Sequence, residues 1–110
     1  MDPAFEGAGT GPGIEVWRIE DKKPVKQEDK AFFGKFFEGD SYILLSTKQG
    51  KAGLSWDLHF WLGSETSQDE SGIAAYKTVE LDEGLGGGPI QYRECQNHES
   101  ALFLSYFKES

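Results

Sequence analysis

Leu54, Trp56, Leu58, Phe60 and Leu62 alternate with Ser55, Asp57, His59 and Trp61. Period two sustained over residues 54–62 is the strand period, so this stretch belongs in a sheet with one strongly apolar face. Just before it, Tyr42, Ile43, Leu44 and Leu45 are apolar at consecutive positions. A strand over 41–47 with that pattern has to be covered on both faces. After residue 62 the period changes. Ser67-Gln68-Asp69-Glu70 fits the S-x-x-E box that opens a helix. Ala74, Thr78, Leu81 and Leu85 then recur at helical spacing and make one narrow stripe. A helix over 69–85 would be roughly 25 Å long at ~1.5 Å per residue. Tyr76, Glu80 and Glu83 fall on its other side, and Gly84 to Pro89 stops it with residues suited to left-handed backbone and a proline.

The remaining segments are weaker. A strand is expected over 14–19, and a short one where Ile90 and Tyr92 alternate with Gln91 and Arg93. Residues 21–30 are charged and contain Pro24, which reads as a loop or a strand only in part. Residues 30–37 are rich in aromatics and end in the turn Glu38-Gly39-Asp40. Residues 48–53 read as a polar hairpin loop, and 98–107 as a short helix or a further strand. Residues 1–13 hold four Gly and two Pro and read as an extended or mobile arm. The element order gives an α+β fold with a mixed sheet and a long helix on one face. At 110 residues it is a single domain, 14–110, behind the arm. It reads as one module of a longer protein, ending before a last strand.

Charge and composition narrow the function. Eleven Lys and Arg against nineteen Asp and Glu give a net charge of −8. That excess opposes nucleic-acid backbones and anionic membrane surfaces, which recruit Lys and Arg. One cysteine, Cys95, excludes an internal disulfide framework. No apolar run approaches the ~18 residues of a membrane-spanning helix, and the first residues lack the basic and apolar regions of a signal peptide. The expectation is a soluble, intracellular domain.

No catalytic set converges. The histidines are His59 and His98, and His59 sits among large apolar strand residues as a half-buried, hydrogen-bonded ring would. Cys95 has no motif around it. Gly86-Gly87-Gly88 follows a helix, whereas phosphate-cradling loops precede one. The chain is therefore not expected to be an enzyme.

The carboxylates between Ser64 and Gly84 (Glu65, Asp69, Glu70, Glu80, Asp82 and Glu83) stand against one base, Lys77. They are either a solvated helix face or donors to a hard cation such as calcium, which takes ~6–8 oxygens. Asp82 lies in the last helical turn, where carbonyl dipoles add negative charge. Glu70 either caps the helix or chelates, and chelation would call on Asp40 behind Gly39.

Several runs together resemble a known family. They are Pro12-Gly13-Ile14-Glu15-Val16-Trp17-Arg18-Ile19-Glu20, Gly34-Lys35-Phe36-Phe37-Glu38-Gly39-Asp40-Ser41-Tyr42-Ile43, Trp56-Asp57-Leu58-His59-Phe60-Trp61-Leu62-Gly63 and Ser67-Gln68-Asp69-Glu70-Ser71-Gly72-Ile73-Ala74-Ala75. With Gln91-Tyr92-Arg93-Glu94, they resemble the first gelsolin-like segment of the gelsolin, villin, severin and fragmin family of actin regulators. The resemblance runs over about residues 12–108. It implies a mixed sheet sandwiched between a long and a short helix. It also implies a calcium-dependent module that binds actin monomer or caps barbed filament ends within a severing and capping protein, in the cytoplasm and cytoskeleton. The module would be monomeric alone. The long helix would lie in a cleft of actin, presenting Ile73, Tyr76, Glu80 and Glu83.

Two calcium sites are implied as well. One takes the Gly39 carbonyl, Asp40 and Glu70, with a further carbonyl beyond residue 110. The other takes Asp82 and the Gly87 and Pro89 carbonyls, with a carboxylate from actin. The sequence departs from the family pattern in its glycine-rich 86–88 loop and in Lys77, which stands where an aromatic is common. The alternative is a calcium-stabilised structural module of the same fold without actin contact.

Overall fold

The computed structural model describes residues 2–28 and 35–107. The expected aromatic stretch over 30–37 and the motif residue Gly34 lie outside these except for Lys35, Phe36 and Phe37. Five strands form one sheet: β1 (Gly13–Glu20), β2 (Lys23–Gln27), β3 (Ser41–Gly50), β4 (Gly53–Leu62) and β5 (Ile90–Cys95), in spatial order β2-β1-β3-β4-β5. Neighbours pair antiparallel except β4 and β5, which are parallel. A parallel pair requires a crossover, and α1 (Gln68–Gly84) provides it. A short helix, α2 (Ala101–Ser105), follows β5 behind its Ser100 cap. The architecture is α+β, with a mixed sheet and helices on both faces. No helix among the described residues is long and apolar enough to cross a membrane.

Strand alternation assigns each side chain to a layer. On the α1 side, Trp17, Ile19, Ile43, Leu45, Leu58 and Leu62 bury against Ala74 and Leu81. On the opposite face, Val16, Tyr42, Leu44 and Trp61 bury against Phe103 of α2. Residues 42–45 thus feed the two layers in turn, which is why that run has no polar gap. Each large side chain so buried is worth about 1.5–3 kcal/mol relative to exposure. Thr78, fully buried in the helix stripe, donates its hydroxyl to the Ala74 carbonyl at 2.7 Å.

One open expectation is decided, as a strand in part, and two are corrected. First, residues 23–27 form a paired strand, with Glu20 opposite Lys23. The turn between them places Asp21 and Lys22 at φ +50° and +64°, the conformation of a two-residue hairpin turn normally built with Asn and Gly. Pro24 is tolerated because β2 is an edge strand. Second, the hairpin loop shrinks: β3 and β4 stay paired as far as Gly50 and Gly53.

Third, the N-terminal segment is no extended arm. Asp2 caps a short 3-10 turn, Pro3–Phe5, and Phe5 is fully buried. The cause lies in two tryptophans whose indole N–H groups need acceptors. Trp17 Nε1 donates to the Ala4 carbonyl at 2.7 Å, and Trp56 Nε1 donates to the Gly9 carbonyl at 2.9 Å. Gly9 has φ +73°, and a Cβ there would come within 2.7 Å of the Trp56 nitrogen, so glycine is required for the approach.

His59 is hydrogen-bonded as expected, but it is fully buried where a half-buried ring was expected. Its Nδ1 lies 2.9 Å from Glu94 Oε2 and its Nε2 lies 2.7 Å from the Tyr106 hydroxyl. Glu94 also accepts from the Ser100 backbone N–H and hydroxyl, so the network fixes the start of α2. Burial pushes His59 below its usual value of 6.5, against the opposing pull of Glu94. The neutral ring donates from Nδ1 to Glu94 and accepts at Nε2 from Tyr106, whose phenol burial pushes up to about 12.

A pH dependence follows. The unfolded chain protonates His59 near its ordinary pKa while the folded chain resists, so the unfolded state binds more protons. This contribution to stability is present above about pH 6.5 and is lost as pH falls below it. Urea unfolding at about pH 7.5 and 5.5 should show the decline, and His59→Gln should flatten it. A slope untouched by that substitution would contradict the assignment.

Candidate functional site

Both ends of α1 gather carboxylates, and they do so differently. Ser67 caps the N-terminus through its hydroxyl, which accepts from the Glu70 N–H at 3.1 Å. Asp69 and Glu70 in this first turn suit the positive end of the helix. Asp82 and Glu83 fall in the last turn, where no basic residue accompanies them. Carboxylates at the negative end of a helix are unfavourable by ~0.3–1 kcal/mol each. A cation placed there reverses the sign.

The loop after α1 folds back over Asp82. Gly86 and Gly87 both have φ +77°. The Gly87 N–H donates to the Asp82 carbonyl at 2.9 Å, and the Gly86 N–H donates to the Glu83 carbonyl at 3.0 Å. This pair of bonds is the Schellman closure, which needs left-handed backbone just past the helix. Gly88 then packs on the Trp56 ring, where a Cβ would sit 2.9 Å from Cζ3, and Pro89 is buried. The glycine-rich stretch is thus an ordered cap that brings Gly87 and Pro89 around the end of the helix. Within it, Asp82 Oδ2 accepts from the Gln91 side-chain amide, and Asp82 Oδ1 is buried without a hydrogen-bond partner among the described residues. A buried carboxyl oxygen with no donor is costly, and it is the kind of atom a hard cation satisfies.

At the other end, the Gly39-Asp40 turn is clamped to the loop that leads into α1. The Gly63 N–H donates to the Asp40 carbonyl at 3.0 Å, the Glu65 N–H donates to the Glu38 carbonyl at 2.8 Å, and the Ser41 and Thr66 hydroxyls bond at 2.7 Å. Gly63 admits no side chain, because a Cβ would meet the Glu38 carbonyl oxygen at 2.2 Å. Glu70, one turn further on, keeps Oε2 buried and unpartnered among the described residues. Asp40 does not match this pattern. Its Oδ2 is held by the Arg18 guanidinium at 2.6 Å. Among the described residues, no three His, Cys, Asp or Glu side chains converge as a ready cage. A metal at either end would therefore draw on backbone carbonyls as well, and the unpartnered oxygens of Glu70 and Asp82 fit that role.

The four residues expected on a partner-facing stripe are not equivalent. Tyr76 is 65% exposed, and Glu83 is exposed. Ile73 is half-buried against the α1-side core. Glu80 is taken up within the chain: it accepts from the Asp2 backbone N–H at 2.5 Å and from Lys77 Nζ at 3.2 Å. Lys77 also pairs with the Asp2 carboxylate at 3.2 Å. Burial works to lower the Lys77 pKa, but these two carboxylates raise it above its ordinary value. The free face of the helix is instead Tyr76, Glu83 and Val79, the last 44% exposed. Val79 was legible as the residue three after Tyr76. Gln91 and Arg18 carried no local signal, since their partners are distant in sequence.

Comparison with known proteins agrees with this construction. The gelsolin repeat matches residues 22–104. A cytoplasmic gelsolin of Homarus americanus is 60% identical over 109 residues, covering 99% of this chain and 14% of that protein. Gelsolin of Drosophila melanogaster is 58% identical over 110 residues, covering 98% and 14%. Villin-4 of Arabidopsis thaliana is 60% identical over 109 residues, covering 98% and 11%. The chain thus spans a small part of these relatives, which are gelsolins and a villin. Two crystal structures share the fold. One is the Thorarchaeota 2DGel3/rabbit actin complex (TM-score 0.68, 22% identity, 87% of this chain and 43% of that one). The other is the Thorarchaeota ProGel/rabbit actin complex (TM-score 0.70, 11% identity, 87% and 100%). The mixed sheet crossed by α1, the Gly-Asp turn, the capped carboxylate helix and the match across most of its length place this chain in the gelsolin-repeat family.

Proposed function

We propose that this domain is a calcium-dependent actin-binding module of the cytoplasmic cytoskeleton, which binds a monomer or the barbed end of a filament through α1. The observation that carries this reading is Asp82. It stands at the negative end of α1 with one buried oxygen unpartnered, inside a loop folded back over it. Asp82, with the carbonyls of Gly87 and Pro89, would hold a calcium ion whose remaining ligand comes from the partner. The ion would convert repulsion between an acidic helix and an acidic partner into attraction. Asp40 and Glu70, with the Gly39 carbonyl, would hold a second ion within the chain.

Partner identity is carried over from the relatives, both fold neighbours being described in complexes with rabbit actin. The helix face fits groove recognition, with an aromatic anchor and an acidic flank. Tyr76 is that anchor, and Val79 and Glu83 flank it.

A native-gel shift of purified chain with monomeric actin tests the proposal. A shift is expected in calcium. Tyr76→Ala should weaken binding about tenfold or more, the cost of a hot-spot aromatic. A shift indifferent to Tyr76 would put the contact elsewhere. No shift at all would favour a calcium-stabilised structural module without actin contact.

A further inference from the structure

We infer that Arg18 is a tethered cation that competes with the metal ion for Asp40 and so sets the calcium affinity of the Asp40–Glu70 end of the domain. The inference rests on the reading of Asp40 and Glu70 as metal donors. Three observations carry it. Arg18 Nη2 lies 2.6 Å from Asp40 Oδ2, with the two side chains 32% and 19% exposed, so the pair is partly withdrawn from solvent. Arg18 is held from both sides. It lies on β1 between β2 and β3, directly opposite Val25 and Tyr42, and its guanidinium stacks 5.3 Å from the Phe37 ring. Asp40 is fixed too, by the clamp between its turn and Gly63. Neither partner can move away freely.

A divalent ion reaching Asp40 meets a carboxylate that already has a positive partner. It must displace Arg18 or share the oxygen with it against like-charge repulsion. Either way the guanidinium weakens binding. In return, it satisfies Asp40 when calcium is absent, whereas Glu70 at the same end of α1 keeps an oxygen with no donor among the described residues. Arg18 therefore trades calcium affinity for metal-free stability.

Isothermal titration with calcium, without actin, tests this in an Asp82→Asn background that silences the other end of the helix. Arg18→Gln should tighten the remaining site about tenfold, because it removes a full charge from beside the ligand. It should also lower the melting temperature without calcium. Arg18→Met, which keeps the apolar stem, should behave alike, and Arg18→Lys should stay near the parent. Unchanged or weaker affinity in both neutral variants would overturn the inference. Asp40→Asn separates the two levels. If it abolishes binding while the Arg18 variants do not tighten it, the metal reading stands and the role of Arg18 falls. If it leaves binding unchanged, both fall.

Discussion

Phe5→Ala should destabilise the domain by about 3–5 kcal/mol, the usual cost of emptying a buried phenylalanine site. Phe5 lies outside the strands and α1, within a segment whose composition suggests a mobile arm. It is nevertheless fully buried, and its ring meets Trp17 edge-on at 5.2 Å. It shares a cluster with Leu58 and Leu81, so its loss opens the core between sheet and α1. Against a total of ~5–15 kcal/mol for a domain, that is a large share, and a melting temperature lower by roughly 10–20 °C is expected. Thr10→Ala, at an exposed neighbour, should change little. Thermal melts of the three proteins decide the matter. A Phe5→Ala melt within a degree or two of the parent would mean that the segment does not dock in solution.

Asp82→Asn should have the largest functional effect. The substitution keeps the shape of the side chain but removes the charge from the one position in the last turn of α1 that is both carboxylate and partly buried. With calcium saturating, actin affinity should fall about ten- to hundredfold, within the range of coupling energies between linked sites. The residual affinity should no longer respond to calcium. The fold should be unaffected or slightly firmer, since an acidic group is removed from the negative end of a helix. Fluorescence titration of labelled monomeric actin, with circular dichroism to verify the fold, provides the readout. Retained calcium sensitivity would remove Asp82 from the proposed interface.

The parts of the fold legible in the sequence were those in which local pattern and tertiary environment agree. In β4 the alternation survives, although both faces are covered from Leu58 to Leu62, because the face opposite α1 buries the polar His59, satisfied by Glu94 and Tyr106. In β3 it disappears because both faces are covered. The Ser67 cap and the stripe Ala74, Thr78, Leu81 and Leu85 located α1 to within a residue. The β1–β2 hairpin was not legible, because Asp21 and Lys22 adopt left-handed backbone that their residue types do not advertise. Nor was the docking of residues 2–9, which depends on indole donors at Trp17 and Trp56.

The candidate site divides in the same way. Asp40, Glu70 and Asp82 could be named from residue type and position. That Glu70 and Asp82 each keep a buried oxygen free, while Asp40 is claimed by Arg18, depends on contacts between distant segments. Glu80 illustrates the limit most plainly. On a helical projection it belongs with Tyr76, but a backbone N–H from Asp2 and the Lys77 ammonium turn it inward.

The most direct test of the central claim is the affinity of the unaltered domain for monomeric actin, measured once in saturating calcium and once with a calcium chelator. A divalent ion bridging α1 to its partner requires binding to weaken at least several-fold on chelation, with actin in turn tightening calcium by the same factor. Equal affinity under the two conditions would contradict it.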